Sequence, residues 1–187
     1  MKETGLMFKA PLVRAILSGQ KTQTRRIAKD VRHPDLGNWY APGALVLEGE
    51  PQHVIHRACP WGQPSDRIYV RETFARVPTV CGSDEVVFAA DYQDDSDKAA
   101  GVKYTPAIHM PKDLARVWLE ITGVRVERLQ SISRGDAMAE GCPFPNMADG
   151  EDPRDWFAEV WRSTGGDWAA NPWVWVIDFK RITHRAL

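Results

Sequence analysis

The sequence predicts an α+β domain: a curled sheet or small barrel with short peripheral helices and one long insertion. Three observations carry this. Segments with two-residue alternation recur along the chain, short amphipathic stretches with start and stop signals separate them, and 187 residues suit one compact domain with length left for an elaboration.

Leu12, Val13, Ile16 and Leu17 fall at helical spacing, Pro11 sits where a first-turn proline is tolerated and Gly19 follows as a stop, so residues 11–18 read as a helix. Residues 67–75 alternate as a strand, with Ile68, Val70, Glu72 and Phe74 on one face and Tyr69, Arg71 and Thr73 on the other. Residues 76–111 carry Asp91, Asp94, Asp95 and Asp97, read as a mobile acidic loop within an elaboration that reaches from about residue 34 to 111. In 116–129, Val117, Leu119 and Ile121 share one phase and Val124 and Val126 take the other, which predicts a bulge at Gly123. Ser133 caps a short helix that ends near Glu140 with Gly141 behind it, and Asp152-Pro153 opens another through Trp161 that Gly165-Gly166 stops. Residues 173–180 close as a central strand, apolar on both faces.

Composition narrows the function classes. With 43% hydrophobic and 26% charged residues, 24 basic against 25 acidic, the chain is not a disordered tail, a fibre or a coiled-coil rod. No apolar run approaches a membrane span and the first residues lack a secretion signal, so no membrane partner is expected. Cys59, Cys81 and Cys142 form no CxxC pair, which fits a reducing cytosol better than a disulfide framework. Charge is uneven: the first 32 residues hold eight basic side chains and two acidic ones. Such an edge suits a phosphate or a short single strand, or is simply a solvated face.

The densest polar cluster is Gly19-Gln20-Lys21-Thr22-Gln23-Thr24-Arg25-Arg26. As a strand from residue 22, it puts Thr22, Thr24 and Arg26 on one face, and Lys21 joins them from the turn after Gly19. An exposed hydrogen-bonded loop satisfies the same spacing.

The pattern Gly-x-Lys-x-x-Thr-x-Arg, met as Gly19, Lys21, Thr24 and Arg26, resembles the signature of the ASCH domain family, which has a PUA-like β-barrel. Further segments resemble its larger bacterial and prophage members: Cys59-Pro60-Trp61-Gly62 leading to the stretch 66–72, then 136–141, then 171–176. The resemblance implies a small hydrolase. Small members remove the acetyl group from N(4)-acetylcytidine with a lysine, a threonine and a glutamate, and others bind or cleave RNA. By motif, these residues are Lys21 and Thr24, with Glu140 as the glutamate. The expected partners are a modified nucleoside or single-stranded RNA, contacted by Thr22, Arg25, Arg26, Arg71, Glu72 and Trp61.

Elementary chemistry is compatible with that assignment. Amide cleavage needs a nucleophile, a base and an acid, and no cofactor. Lys21 can take the Thr24 proton only if burial or the nearby Arg25, Arg26 and Arg71 lower its pKa, and a helix C-terminus would raise that of Glu140. Glu72 competes for the carboxylate role, because its strand phase buries it and it must find a partner, Arg26 or Lys21. Arg71 points to the opposite face. His53, His56 and Cys59 recur at spacings of three, but in a strand the two histidines face opposite ways and no fourth ligand is near, so no metal is expected. Trp118, Trp156, Trp161, Trp173 and Trp175 read as core, whereas Trp39 and Trp61 lie in loops where an indole can stack on a base.

Overall fold

The structure, a computed structural model, describes residues 1–79, 82, 84–92, 101–144 and 152–183. Cys81 and three of the four aspartates of the expected acidic loop, Asp94, Asp95 and Asp97, lie outside the described residues. The fold is mixed α+β. Five strands form the main sheet: β1 (Glu3–Met7), β2 (Gln23–Ile27), β5 (Arg67–Arg71), β8 (Trp118–Arg128) and β9 (Trp173–Ile182), in the order β1-β5-β8-β9-β2. Only β1 and β5 run parallel. The sheet does not close into a barrel: β1 and β2 are its two edges, and no ladder joins them among the described residues.

Strand β9 lies inside the sheet, between β8 and β2, and both its faces are covered. Trp175, Ile177 and Phe179 join the larger core with Val124, Val126 and Leu119, while Val174 and Val176 join a second core with Phe157 and Trp161. The unbroken apolar run Trp173–Ile177 follows from this position, with Val174 to Ile177 all buried. The expected bulge is present in β8, where the register shifts between Ile121 and Gly123. Gly123 pairs with Asp178, and a Cβ there would come within 3.0 Å of the Asp178 carboxylate, so the phase change sits where a side chain would crowd Asp178.

Helix α1 (Ala10–Leu17) buries Val13, Ala15 and Ile16. The predicted strand 67–75 is instead two. After β5 the chain breaks at Glu72 and Thr73, and β6 (Phe74–Pro78) leaves the main sheet to pair with β7 (Asp84–Phe88). The elaboration also holds the ribbon β3 (Val31–Arg32) and β4 (Trp39–Tyr40) and the helices α2 (Ala44–Leu47) and α3 (Gln52–Ala58). His53 and His56 therefore sit on a helix, not a strand, and Val54 and Ile55 between them face the core. Two helices cover the second core, α4 (Arg134–Ala139) and α5 (Pro153–Ser163). A capping box from Ser133 and Asp136 starts α4, and the Asp152 side chain caps α5. Among the described residues, no helix is long and apolar enough to cross a membrane.

Candidate functional site

A cavity of about 490 Å³ occupies the gap between the two sheet edges. Gly5 and Met7 of β1 line one side and Thr24, Arg25 and Arg26 of β2 the other. Arg26 spans the opening: its guanidinium donates to the Met7 carbonyl at 2.9 Å and to the Arg25 carbonyl at 3.1 Å. It also stacks on Phe8, 5.0 Å from the ring centre. Phe157 and Trp161 of α5, together with Trp61, add aromatic surface to the walls.

Local backbone geometry delivers Lys21 to this gap. Gly19 takes φ +80° and ends α1, the Lys21 amide donates to the Ala15 carbonyl at 2.9 Å, and the Thr22 amide donates to the Ala139 carbonyl at 2.8 Å. The turn is thus tied to the end of α4. Gly141, at φ +101°, lets the two meet: a Cβ there would stand 3.0 Å from the Ala15 Cβ and 3.2 Å from that of Lys21.

Lys21 is 2% exposed, and its ammonium donates three hydrogen bonds: to the Gln23 carbonyl at 2.8 Å, the Glu140 carbonyl at 2.9 Å and Glu140 Oε2 at 2.5 Å. Burial holds its pKa below the ordinary lysine value; Glu140 opposes the shift, and the charges of Arg26 and Arg25 reinforce it. Glu140 is buried as well, and its other oxygen accepts from Arg25 Nη1 at 3.1 Å. Burial likewise lowers the pKa of Arg26, with Glu140 acting against it. Thr24 is buried beside them on the cavity wall. Together these groups place an alcohol, an amine with a weakened hold on its proton and a carboxylate around one hollow large enough for a nucleoside.

Seven of the residues singled out from the sequence line this cavity: Lys21, Thr24, Arg25, Arg26, Trp61, Arg71 and Glu140. Arg71 does so while donating to the carbonyls of Met110 and Ile108. Two do not. Thr22 is exposed and precedes β2, so it shares no pocket with Thr24. Glu72 is 1% exposed but lies elsewhere, gripped by Arg116 through two bonds of 3.0 and 2.9 Å, so its partner is neither Arg26 nor Lys21. Trp39 is exposed, with Arg32 over its ring, and does not line the cavity.

Sequence reasoning missed a layer of charge behind the site. Arg25 also donates to Gln23 Oε1 at 2.5 Å and to Glu127 Oε1 at 2.6 Å. Arg125 binds Glu127, Asp136 and Asp178 at 3.1, 2.9 and 3.0 Å. Gln23 bridges Asp136 and Asp178. The alternation Val124-Arg125-Val126-Glu127 signals a polar face, which sequence alone reads as turned to water. Here α4 packs over it. The cavity's apolar side was equally hidden, because β1 is short and glycine-containing, with little strand signal.

Burial pushes the Cys59 thiol up to about 11, and among the described residues no three His, Cys, Asp or Glu side chains gather as a metal site would require.

No family model and no curated protein matches the sequence. Two solved structures align with the chain. A DUF984 protein from Enterococcus faecalis V583 is 11% identical, with a TM-score of 0.41, over 100% of this chain and 86% of its own. An ASCH domain from Lactobacillus crispatus JV V101 is 15% identical, with a TM-score of 0.39, over 98% of this chain and 81% of its own.

Proposed function

We propose that the chain is a hydrolase of the ASCH type that removes the acetyl group from N(4)-acetylcytidine or a closely related acylated nucleoside. The observation that carries this reading is the contact between the buried Lys21 amine and Glu140 on the wall of an aromatic cavity that Thr24 shares.

Unprotonated Lys21 takes the Thr24 hydroxyl proton as Oγ1 bonds to the acetyl carbon. The carbon–nitrogen bond then breaks, and the Lys21 ammonium, held by Glu140, returns that proton to the departing amine. Water activated by the same lysine splits the acyl–threonine ester and releases acetate. No step calls for a metal or an organic cofactor.

The competing reading is an RNA-binding module or ribonuclease whose basic cluster grips phosphates. Geometry favours the enzyme. The side chains of Lys21 and Arg25 are 1% and 0% exposed and already matched by carboxylates, so neither offers a free charge to a backbone. Incubation with N(4)-acetylcytidine, followed by chromatography of cytidine and acetate, tests the proposal. Turnover by the wild type, lost in Lys21→Ala and Thr24→Val, is the expected result. No turnover by the folded protein, or turnover that survives Lys21→Ala, overturns it. Single-stranded RNA binding that weakens steeply with salt would favour the other reading.

A further inference from the structure

We propose that Arg25 is a positioning residue: by supplying the counter-charge for Glu140, it frees Lys21 to exist as the neutral amine. The role deepens the hydrolase reading and rests on it for its catalytic consequence, but its first test needs no substrate.

The argument is geometric. Glu140 offers one oxygen to Lys21 at 2.5 Å and the other to Arg25 at 3.1 Å, so two cations share one carboxylate. They are not equivalent. A guanidinium keeps its charge at every pH the fold survives, whereas a buried ammonium can give its proton up. When Lys21 is neutral, Arg25 still balances Glu140, and no buried anion is left uncompensated. Without Arg25, Lys21 would be the only cation on Glu140 and would hold its proton harder. Like-charge repulsion acts in the same direction, since Arg25 and Arg26 both stand close enough to oppose the ammonium.

The surroundings fix Arg25 in this task. Its side chain is fully buried, with the Phe157 ring of α5 5.6 Å from the guanidinium carbon. Glu127 of β8 holds Nη2 at 2.6 Å, and Asp136 of α4 lies 3.6 Å away. Both acids are held from behind by Arg125, which also binds Asp178 of β9. The result is a chain of alternating charge: Asp178, Arg125, Glu127 with Asp136, Arg25, Glu140 and finally Lys21. It ties β8, β9 and α4 to the reactive pair, so Arg25 cannot swing out to bind a ligand without breaking its bonds to Glu127 and Glu140. The sequence expectation that Arg25 touches substrate gives way here to a role exerted through Glu140.

The test is a nuclear magnetic resonance titration of the Lys21 side chain in the intact protein, assigned by its loss in Lys21→Ala. Arg25→Gln should raise the Lys21 midpoint by about one pH unit. Arg25→Lys, which restores a charge without the fork, should recover a large part of the wild-type value. Should Arg25→Gln fail to fold, the double variant Arg25→Gln/Glu127→Gln removes the carboxylate that has lost its bond to Arg25, and the titration is read there. An unchanged midpoint in the folded variant overturns the proposal. With acetylcytidine as substrate, the acidic limb of kcat, set by loss of the Lys21 proton, should move up by the same amount, about a tenfold fall in rate at a fixed pH below it, with KM unchanged. A shifted midpoint without acetylcytidine turnover upholds Arg25 and sinks the substrate assignment alone.

Discussion

Two buried carboxylates in this protein are near twins by burial and opposites by surroundings. Glu140 and Glu72 are 3% and 1% exposed, and each is bound by basic side chains. Glu72 meets Arg116 in a two-pronged clasp, and Asp91 holds the same guanidinium from outside at 2.8 Å. Although burial works against it, these two acids raise the Arg116 pKa above its already high ordinary value, so Arg116 does not give up its proton. The Phe88 ring lies 4.1 Å from the guanidinium carbon, and Glu72 is not among the residues that line the cavity beside Glu140. Glu140 meets an amine that can lose its proton, beside a hollow. Burial with an opposite charge is therefore common to a structural pair and a candidate reactive one. An exchangeable proton and room for a ligand tell them apart.

That contrast breaks most clearly under paired substitutions. Glu140→Gln should cut kcat on acetylcytidine by about 10²–10³-fold, because the amide cannot stabilise the Lys21 ammonium that forms during the reaction. Steady-state rates check it; a loss of less than about tenfold would demote Glu140 to a structural role. Glu72→Ala should do the reverse. It leaves the half-buried Arg116 guanidinium with Asp91 alone and should cost about 3 kcal/mol of stability by urea unfolding, with kcat of the folded fraction within about twofold of wild type. A large fall in kcat at unchanged stability would return Glu72 to the site.

Local signals in the sequence were faithful because they depend on neighbours a few residues away. Ser133 with Asp136, Pro11 with Gly19 and the phase change at Gly123 each describe a cap, a stop or a bulge that forms wherever the chain goes. The Lys21–Thr24 spacing was equally readable, since both reach the cavity from one turn and the strand it opens. What pairs with what was not readable. Arg116 stands 44 residues from Glu72, and nothing in the intervening sequence distinguishes it from Arg26 as a partner. Likewise, Arg125 and Glu127 alternate with valines as a solvated face would, and only the docking of α4 turns them into the support of a site. Thr22 was misplaced because alternation was extended one residue before the strand begins.

Asp136 gives a smaller but more diagnostic effect, because its stabilisation carries a pH signature. Partial burial pushes its pKa up, but hydrogen bonds from Ser133 and Gln23 and the charges of Arg125 and Arg25 outweigh that and hold it at about 2, against an ordinary 3.8. A carboxyl depressed on folding stabilises above its unfolded pKa and loses that contribution as pH falls through the folded one. Asp136→Asn should therefore cost about 2 kcal/mol at pH 7, roughly half of that at pH 3, and almost nothing below pH 2. Urea unfolding of both proteins at pH 7 and pH 3 measures the difference. A penalty independent of pH would mean that packing, not charge, is what Asp136 supplies.

The smallest expected effect tests whether place in the motif or place in space decides a role. Thr22 lies between Lys21 and Thr24 in the cluster and carries the same hydroxyl as Thr24, yet the residue is exposed and its backbone does the bonding: the amide donates to the Ala139 carbonyl and the carbonyl accepts from the Phe179 amide. Thr22→Ala keeps that amide and should change stability by less than about 0.5 kcal/mol and kcat/KM by less than about twofold. Thr24→Ala, two positions on, removes the proposed nucleophile from a buried site. If the two substitutions were equally harmful, the hydroxyl chemistry would not belong to the cavity wall, and the motif would matter for the turn it builds rather than for the alcohol it presents.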